Sequence, residues 1–268
     1  MITLAKKVFH KSLRSMGYEL RRRRPAHRNT PTTSRPGICR IMGSTDGPVL
    51  VEFVGPSGVG KTTLYKQLFK GPDKTPLGLP FEQFCARDHE FAIDDAALDG
   101  SPHGQLLKHK WDSLVWSTYR TEDILSLLRY TYRILRMDVA IYRSTHTGCF
   151  LMENGLFHIF TKELLELKES VPVSFDNLLR RRAIVHFSGA PDRITANILN
   201  RKKAGDLKPL HKDRSEAELV ELNRIRCALK QDLADAAEAS GGRVLRIDTA
   251  NTLDDNVYAI ETFVRDLL

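Results

Sequence analysis

The chain predicts a three-layer α/β sandwich, with a five-stranded parallel sheet flanked by helices and covered by a helical lid. Three features of its 268 residues lead there. Val49 to Val54, VLVEFV, is an apolar run of strand length that breaks into a glycine-rich loop and then a helical pattern. Gly148 to Glu153 is a second apolar run, ending in an acid, with a helix from Leu156 to Lys168 behind it. Ala183–Phe187 and Arg243–Ile247 are two further short runs, separated by long helical stretches of the kind that parallel strands need for their crossovers.

The loop after the first run carries the chemistry. Gly55-Pro56-Ser57-Gly58-Val59-Gly60-Lys61-Thr62 fits GxxxxGK[ST] at every position, and Thr63 follows. Polyphosphate oxygens need many N–H donors converging on one small volume. Gly55, Gly58 and Gly60 let the backbone curl and approach closely. The amides of the loop and of the next helix then face the anion. Lys61 supplies a point charge to the β- and γ-phosphates, and Thr62 offers a hydroxyl to Mg²⁺. A glycine-rich turn that bound nothing would not explain Lys and Thr after the last Gly.

Composition divides the chain in two. Residues 1–48 hold eleven Lys and Arg against Glu19 and Asp46, so the formal net charge of +8 belongs to this extension, and residues 49–268 are close to neutral. The excess says nothing of a nucleic-acid groove on the domain, and nucleic acid is not an expected partner. Ile2, Ala5, Phe9, Leu13 and Met16 share one helical face, Arg21 to Arg24 follow, and Pro25 to Pro48 is linker-like. Residues 1–24 fit a basic amphipathic helix on an anionic membrane surface, an organelle-targeting peptide, or a disordered basic tail. No apolar stretch approaches the ~20 residues of a membrane span. The four cysteines form no CxxC pair, which suits free thiols in a reducing cytoplasm, with the inner face of the membrane as a peripheral location.

The remaining elements follow in order. A Pro/Gly loop from Gly71 leads to Phe81–Glu90, where a second strand is expected, and Glu82, Arg87, Asp88 and Glu90 are either acceptor-side groups or a polar surface. Gln105 to Ser144 is helical, with Leu107, Trp111, Leu114, Leu125, Leu128, Tyr132, Leu135 and Val139 on the apolar face and an interruption near Thr118–Thr121. Arg129, Arg133, Arg136 and Arg143 share another face, solvated or lining an anionic site. Glu153, at the carboxyl edge of its strand, is the candidate for Mg²⁺ or its water shell, with capping of the next helix as the alternative. After the fourth strand, Pro191 and Asp192 open a helix carrying Arg193, Arg201, Lys202 and Lys203, with Lys208, Lys212 and Arg214 beyond. So basic a hairpin suits a lid over transferring phosphates, or a charged surface. Ser215-x-x-Glu218 is a capping box for a helix to Ser240. Asp248 to Asn251 ends the fifth strand, where a nucleotide base could rest, and Asp254 to Leu268 is the last helix.

From Val49 to Leu268 this order resembles the P-loop kinases of the P-loop NTPase fold, with thymidylate kinase and the deoxynucleoside kinases as the comparison. The resemblance implies that Gly55 to Thr63 bind the donor ATP, that Thr62 and Glu153 hold Mg²⁺, and that Arg193 and Arg201 are the lid arginines. The family's third strand usually ends in an acid followed by arginine; here it ends Glu153-Asn154. No Asn-Lys-x-Asp stretch reads guanine and no LSGGQ-like signature follows. The expected activity is ATP-dependent, Mg²⁺-dependent transfer of a γ-phosphoryl group to a small nucleotide, nucleoside or sugar-like acceptor, with Lys61, Glu153, Arg193 and Arg201 as catalytic candidates. The alternative is a nucleotide-dependent ATPase switch or adaptor acting through a membrane or protein partner.

Overall fold

The first strand is buried on both faces. β1 (Val49–Val54) points Val51 and Phe53 to one side of the sheet and Leu50, Glu52 and Val54 to the other, all five with almost no exposure. That two-sided burial is why the run is nearly all apolar. The computed structural model describes residues 48–70, 79–80, 101–115, 121–143, 148–204, 211 and 214–268. The basic extension, the loop with Glu82, Arg87, Asp88 and Glu90, and the hairpin residues Lys208 and Lys212 lie outside them.

In chain order the described elements are β1, α1 (Lys61–Leu68), β2 (Leu79–Pro80), α2 (Pro102–Val115), α3 (Thr121–Arg143), β3 (Cys149–Met152), α4 (Leu156–Ile159), α5 (Thr161–Ser170), α6 (Pro172–Leu179), β4 (Arg182–Ser188), α7 (Pro191–Lys203), α8 (Glu216–Ala239), β5 (Arg243–Asp248) and α9 (Leu253–Leu267). The strands form one parallel sheet in the order β2-β3-β1-β4-β5. Four of them span four to seven residues; β2 is a two-residue edge, placed just before the stretch where the sequence suggested it.

Three layers result. On one side Val51, Phe53, Val185 and Phe187 pack against Leu64 and Leu68 of α1, Ile194 and Ile198 of α7, and Val257, Ile260 and Val264 of α9. On the other, Val54 and Ile184 meet Leu106 of α2, Leu135 of α3, and apolar residues of α4, α5, α6 and α8. Leu50, Phe150 and Met152 extend that side towards Ile141. Local signals start the helices. Ser215 and Glu218 make the reciprocal capping box of α8, Thr252 caps α9, and Pro172 and Pro191 sit at the first positions of α6 and α7.

The expected single helix from Leu156 to Lys168 is two. The chain breaks at Phe160 (φ −105°, ψ 29°), whose ring is fully buried, and the Thr161 hydroxyl donates back to the Phe157 carbonyl at 3.0 Å. The sequence reading also passed over α6, although Phe175, Leu178 and Leu179 have helical spacing and are buried. Among the described residues, no helix is long and apolar enough to cross a membrane.

Candidate functional site

The glycine-rich loop joins β1 to α1 at the carboxyl edge of the sheet. Gly58 and Gly60 have φ of +89° and +106°, where side chains with a Cβ are strained. A Cβ on Gly58 would also lie 3.0 Å from the Ile194 carbonyl and from Ile198, so α7 sits directly on the loop. Asn197 of α7 fixes that contact, its side-chain amide donating to the Gly58 carbonyl at 3.0 Å. Lys61 is buried, and its Nζ donates to the Gly55 and Pro56 carbonyls at 2.7 and 2.9 Å. This is a P-loop.

The residues singled out by sequence divide by place. Ser57, Gly58, Gly60, Lys61 and Thr62 line one cavity, and Glu153 and Arg201 line it with them. The Thr62 hydroxyl donates to the Glu153 carboxylate, although the two are 91 residues apart. Gly55 and Pro56 contribute their carbonyls to Lys61, Val59 is buried in the core, and Thr63 is exposed. Arg193 is not among the residues that line the cavity. It is exposed and donates to the Thr249 carbonyl beyond β5. Arg129, Arg133 and Arg136 are exposed on α3.

Thr62 and Glu153 form an all-oxygen pair, a hydroxyl beside a carboxylate, which suits Mg²⁺, a hard cation that usually takes one or two protein ligands and fills its shell with water and phosphate oxygens. Among the described residues no group of three or more His, Cys, Asp or Glu side chains could hold a metal ion.

Two cavity residues escaped the sequence reading, Asn154 and His158. Asn154 stands where the resemblance implies arginine. Behind them, Lys230 of α8 is buried and its Nζ donates to the His158 carbonyl and the Thr161 hydroxyl. Burial, then the charges of Lys61, Lys110 and Arg226, hold its pKa well below the usual lysine range against the pull of Glu163. No local pattern marks Lys230, which is one lysine on a long amphipathic helix.

A second buried polar group lies towards the amino end of β1 and β4 and reaches α4 through Glu52. Arg182, at the start of β4, donates to both Glu52 of β1 and Asp138 of α3, and all three are essentially inaccessible. His103 Nε2 of α2 lies 2.6 Å from the other Asp138 oxygen, and Glu52 Oε2 accepts from the Phe157 amide at 2.8 Å. The guanidinium lies 5.5 and 5.4 Å from the Tyr142 and Phe157 rings. Burial works against its charge, but Asp138 and Glu52 outweigh it, and its pKa is raised. The two carboxyls that share it diverge. Burial drives Glu52 up, whereas at Asp138 burial is outweighed by Arg182 and His103, and its pKa falls. A charged residue inside VLVEFV was the one available sign of this network.

No family model matches the chain, and no curated protein matches it. Among solved structures it is similar to a deoxyadenosine kinase from M. mycoides with bound dATP, at 10% identity and a TM-score of 0.39, over 81% of this chain and 99% of that one. It is also similar to a gluconokinase from Sinorhizobium meliloti 1021, at 14% identity and a TM-score of 0.31, over 83% of this chain and 93% of that one. Likenesses this distant carry no weight on substrate; the site rests on its own geometry.

Proposed function

We propose that the protein is an ATP-dependent phosphotransferase acting on a small-molecule acceptor, with Mg²⁺ as its cofactor. The observation that carries this reading is the Thr62–Glu153 contact at the mouth of the P-loop, in a cavity that Arg201 also lines. A hydroxyl, a carboxylate and a guanidinium converging beside phosphate-binding amides are the parts that phosphoryl transfer needs.

In this reading the backbone amides of Ser57, Gly58 and Gly60 and the α1 N-terminus hold the donor phosphates. Lys61 leaves the Gly55 and Pro56 carbonyls for the β- and γ-phosphate oxygens. Thr62 and Glu153 would hold Mg²⁺, which when bound supplies positive charge against the phosphate oxygens. Arg201 stabilises charge on the transferred group and helps exclude water. The bond from the γ-phosphorus to the bridging oxygen breaks with its electron pair going to ADP. A bond from an acceptor oxygen to the γ-phosphorus forms, and the acceptor proton is released. Catalysis is positioning and charge stabilisation, with no covalent enzyme intermediate.

The test is ATP turnover by the full chain with and without nucleosides, nucleotides, sugars and sugar phosphates, with Lys61→Ala as the blank. Acceptor-dependent ADP release with a phosphorylated product in the mass spectrum is expected. ATP binding that needs Lys61, with no transfer to any acceptor class, would replace this reading with a nucleotide-dependent switch.

A further inference from the structure

The four-residue turn α4 is held from both sides by buried ionisable groups. Glu52 accepts the Phe157 N–H from below, and Lys230 donates to the His158 carbonyl from α8. The Thr161 hydroxyl, itself a partner of Lys230, ties the same turn at the Phe157 carbonyl. Burying a carboxyl and an amine is costly, and a turn needed only for packing is held more cheaply by apolar side chains. Leu156 and Phe157 already serve that purpose with no exposure, and Ile159 packs on the same core. His158 is the α4 residue that lines the cavity. Two buried polar supports therefore converge on the backbone of the turn whose His158 lines the cavity, the arrangement that preorganises a contact residue.

Position within the cavity gives the contact its class. Ser57, Gly58 and Gly60 offer loop backbone, while His158 and Arg201 reach the cavity from α4 and α7. A nucleotide seated on the loop by its inner phosphates leaves its terminal phosphoryl group to these outer side chains. We propose that His158 donates a hydrogen bond to the terminal phosphoryl group of a nucleoside triphosphate in this cavity, and that Lys230 and Glu52 are the positioning residues that hold it there. This rests on reading the cavity as a nucleotide site.

The test compares ADP with a non-hydrolysable ATP analogue, titrated calorimetrically into the full chain with Mg²⁺ present. His158→Ala is expected to weaken the analogue about tenfold, the value of one hydrogen bond to a charged group, and to leave ADP within about twofold. His158→Gln, which keeps an N–H donor, recovers part of the loss, and carries the test if His158→Ala does not fold. Lys230→Met lowers the same analogue-to-ADP ratio, and adding it to His158→Ala lowers the ratio no further, because both act through one contact. A merely structural Lys230 would weaken ADP and analogue alike. An unchanged ratio in folded His158→Ala and His158→Gln, with wild-type binding intact, overturns the His158 contact alone. An effect of Lys230→Met that persists in the His158→Ala background overturns the positioning role. Absence of any Lys61-dependent nucleotide binding in the wild type sinks both this proposal and the nucleotide reading.

Discussion

Gly155 has no side chain because the Glu52 carboxyl occupies the space a Cβ would take. A Cβ built on Gly155 would overlap the carboxyl carbon and one oxygen of Glu52. That carboxyl cannot swing aside, since Arg182 holds one oxygen and the Phe157 amide the other. The glycine two residues after Glu153 thus answers to a residue about a hundred positions earlier, and not to a turn; its own φ of −96° and ψ of −166° are open to any residue.

Gly155→Ala should therefore destabilise the protein by about 2–3 kcal/mol, the cost of overpacking at a site that cannot relax. Urea unfolding measures it. A midpoint equal to the wild type would mean that the Glu52 carboxyl is free to move.

Arg182→Met should cost more, about 3–5 kcal/mol, because it leaves Glu52 and Asp138 buried without their shared guanidinium. Replacing Glu52 and Asp138 with apolar residues in the same chain should restore much of the loss, since three apolar side chains leave no buried charge behind. Failure of the triple variant to recover would place the fault in packing against Tyr142 and Phe157 instead.

His186 sets an acid limit. It is buried in β4, and burial, then the nearby Arg246 charge, push its pKa down to about 4, with Lys230 adding to the effect and Asp235 opposing it. An unfolded histidine takes its proton near pH ~6.5. Between those values the unfolded chain binds the extra proton, so stability is complete above ~6.5 and falls with acidification by up to about 1.4 kcal/mol per pH unit. Unfolding midpoints at pH 7, 6 and 5 should slope more steeply in the wild type than in His186→Asn. Parallel slopes would exclude this group as the cause.

The two arginines of α7 should separate in kinetics. Arg201 lines the cavity and Arg193 is bound to the Thr249 carbonyl, so Arg201→Ala should lower acceptor phosphorylation about a hundredfold and Arg193→Ala far less. Equal losses would mean that α7 turns Arg193 inward when nucleotide binds.

Cys149 should resist modification. Burial in β3 pushes its thiol up to about 12, so almost no thiolate exists at pH 8. Mass spectrometry after native treatment with iodoacetamide should find Cys149 unlabelled, and labelled once the chain is unfolded in urea.

Much of the framework was readable along the chain. Strand, P-loop and helix follow from an apolar run, three glycines and Lys61-Thr62. The α8 capping box was written as Ser215-x-x-Glu218, and the crossover spacing announced a parallel sheet. These are local signals: backbone propensity, periodicity and capping act within a few residues of their source. The interruption near Thr118–Thr121 announced the separation of α2 from α3 for the same reason, although α2 starts at Pro102 and not at Gln105, and Glu153 was legible just past a strand end.

The supports of the site were not. Arg182 is the last of three consecutive arginines before the apolar run Ala183–Phe187, yet it starts β4 and is buried. It meets Glu52 only because β1 and β4 pair in parallel with Leu50 beside Arg182, a register that unites residues 130 positions apart. Lys230 reaches the His158 carbonyl and the Thr161 hydroxyl because α8 packs against α5, the helix that follows α4. Composition and period can name the elements and the loop that would hold phosphate. Which charged side chains leave water, and which of them share a partner, depends on the free energy of desolvation and pairing across the assembled sheet, and that exists only once distant strands and helices are in contact.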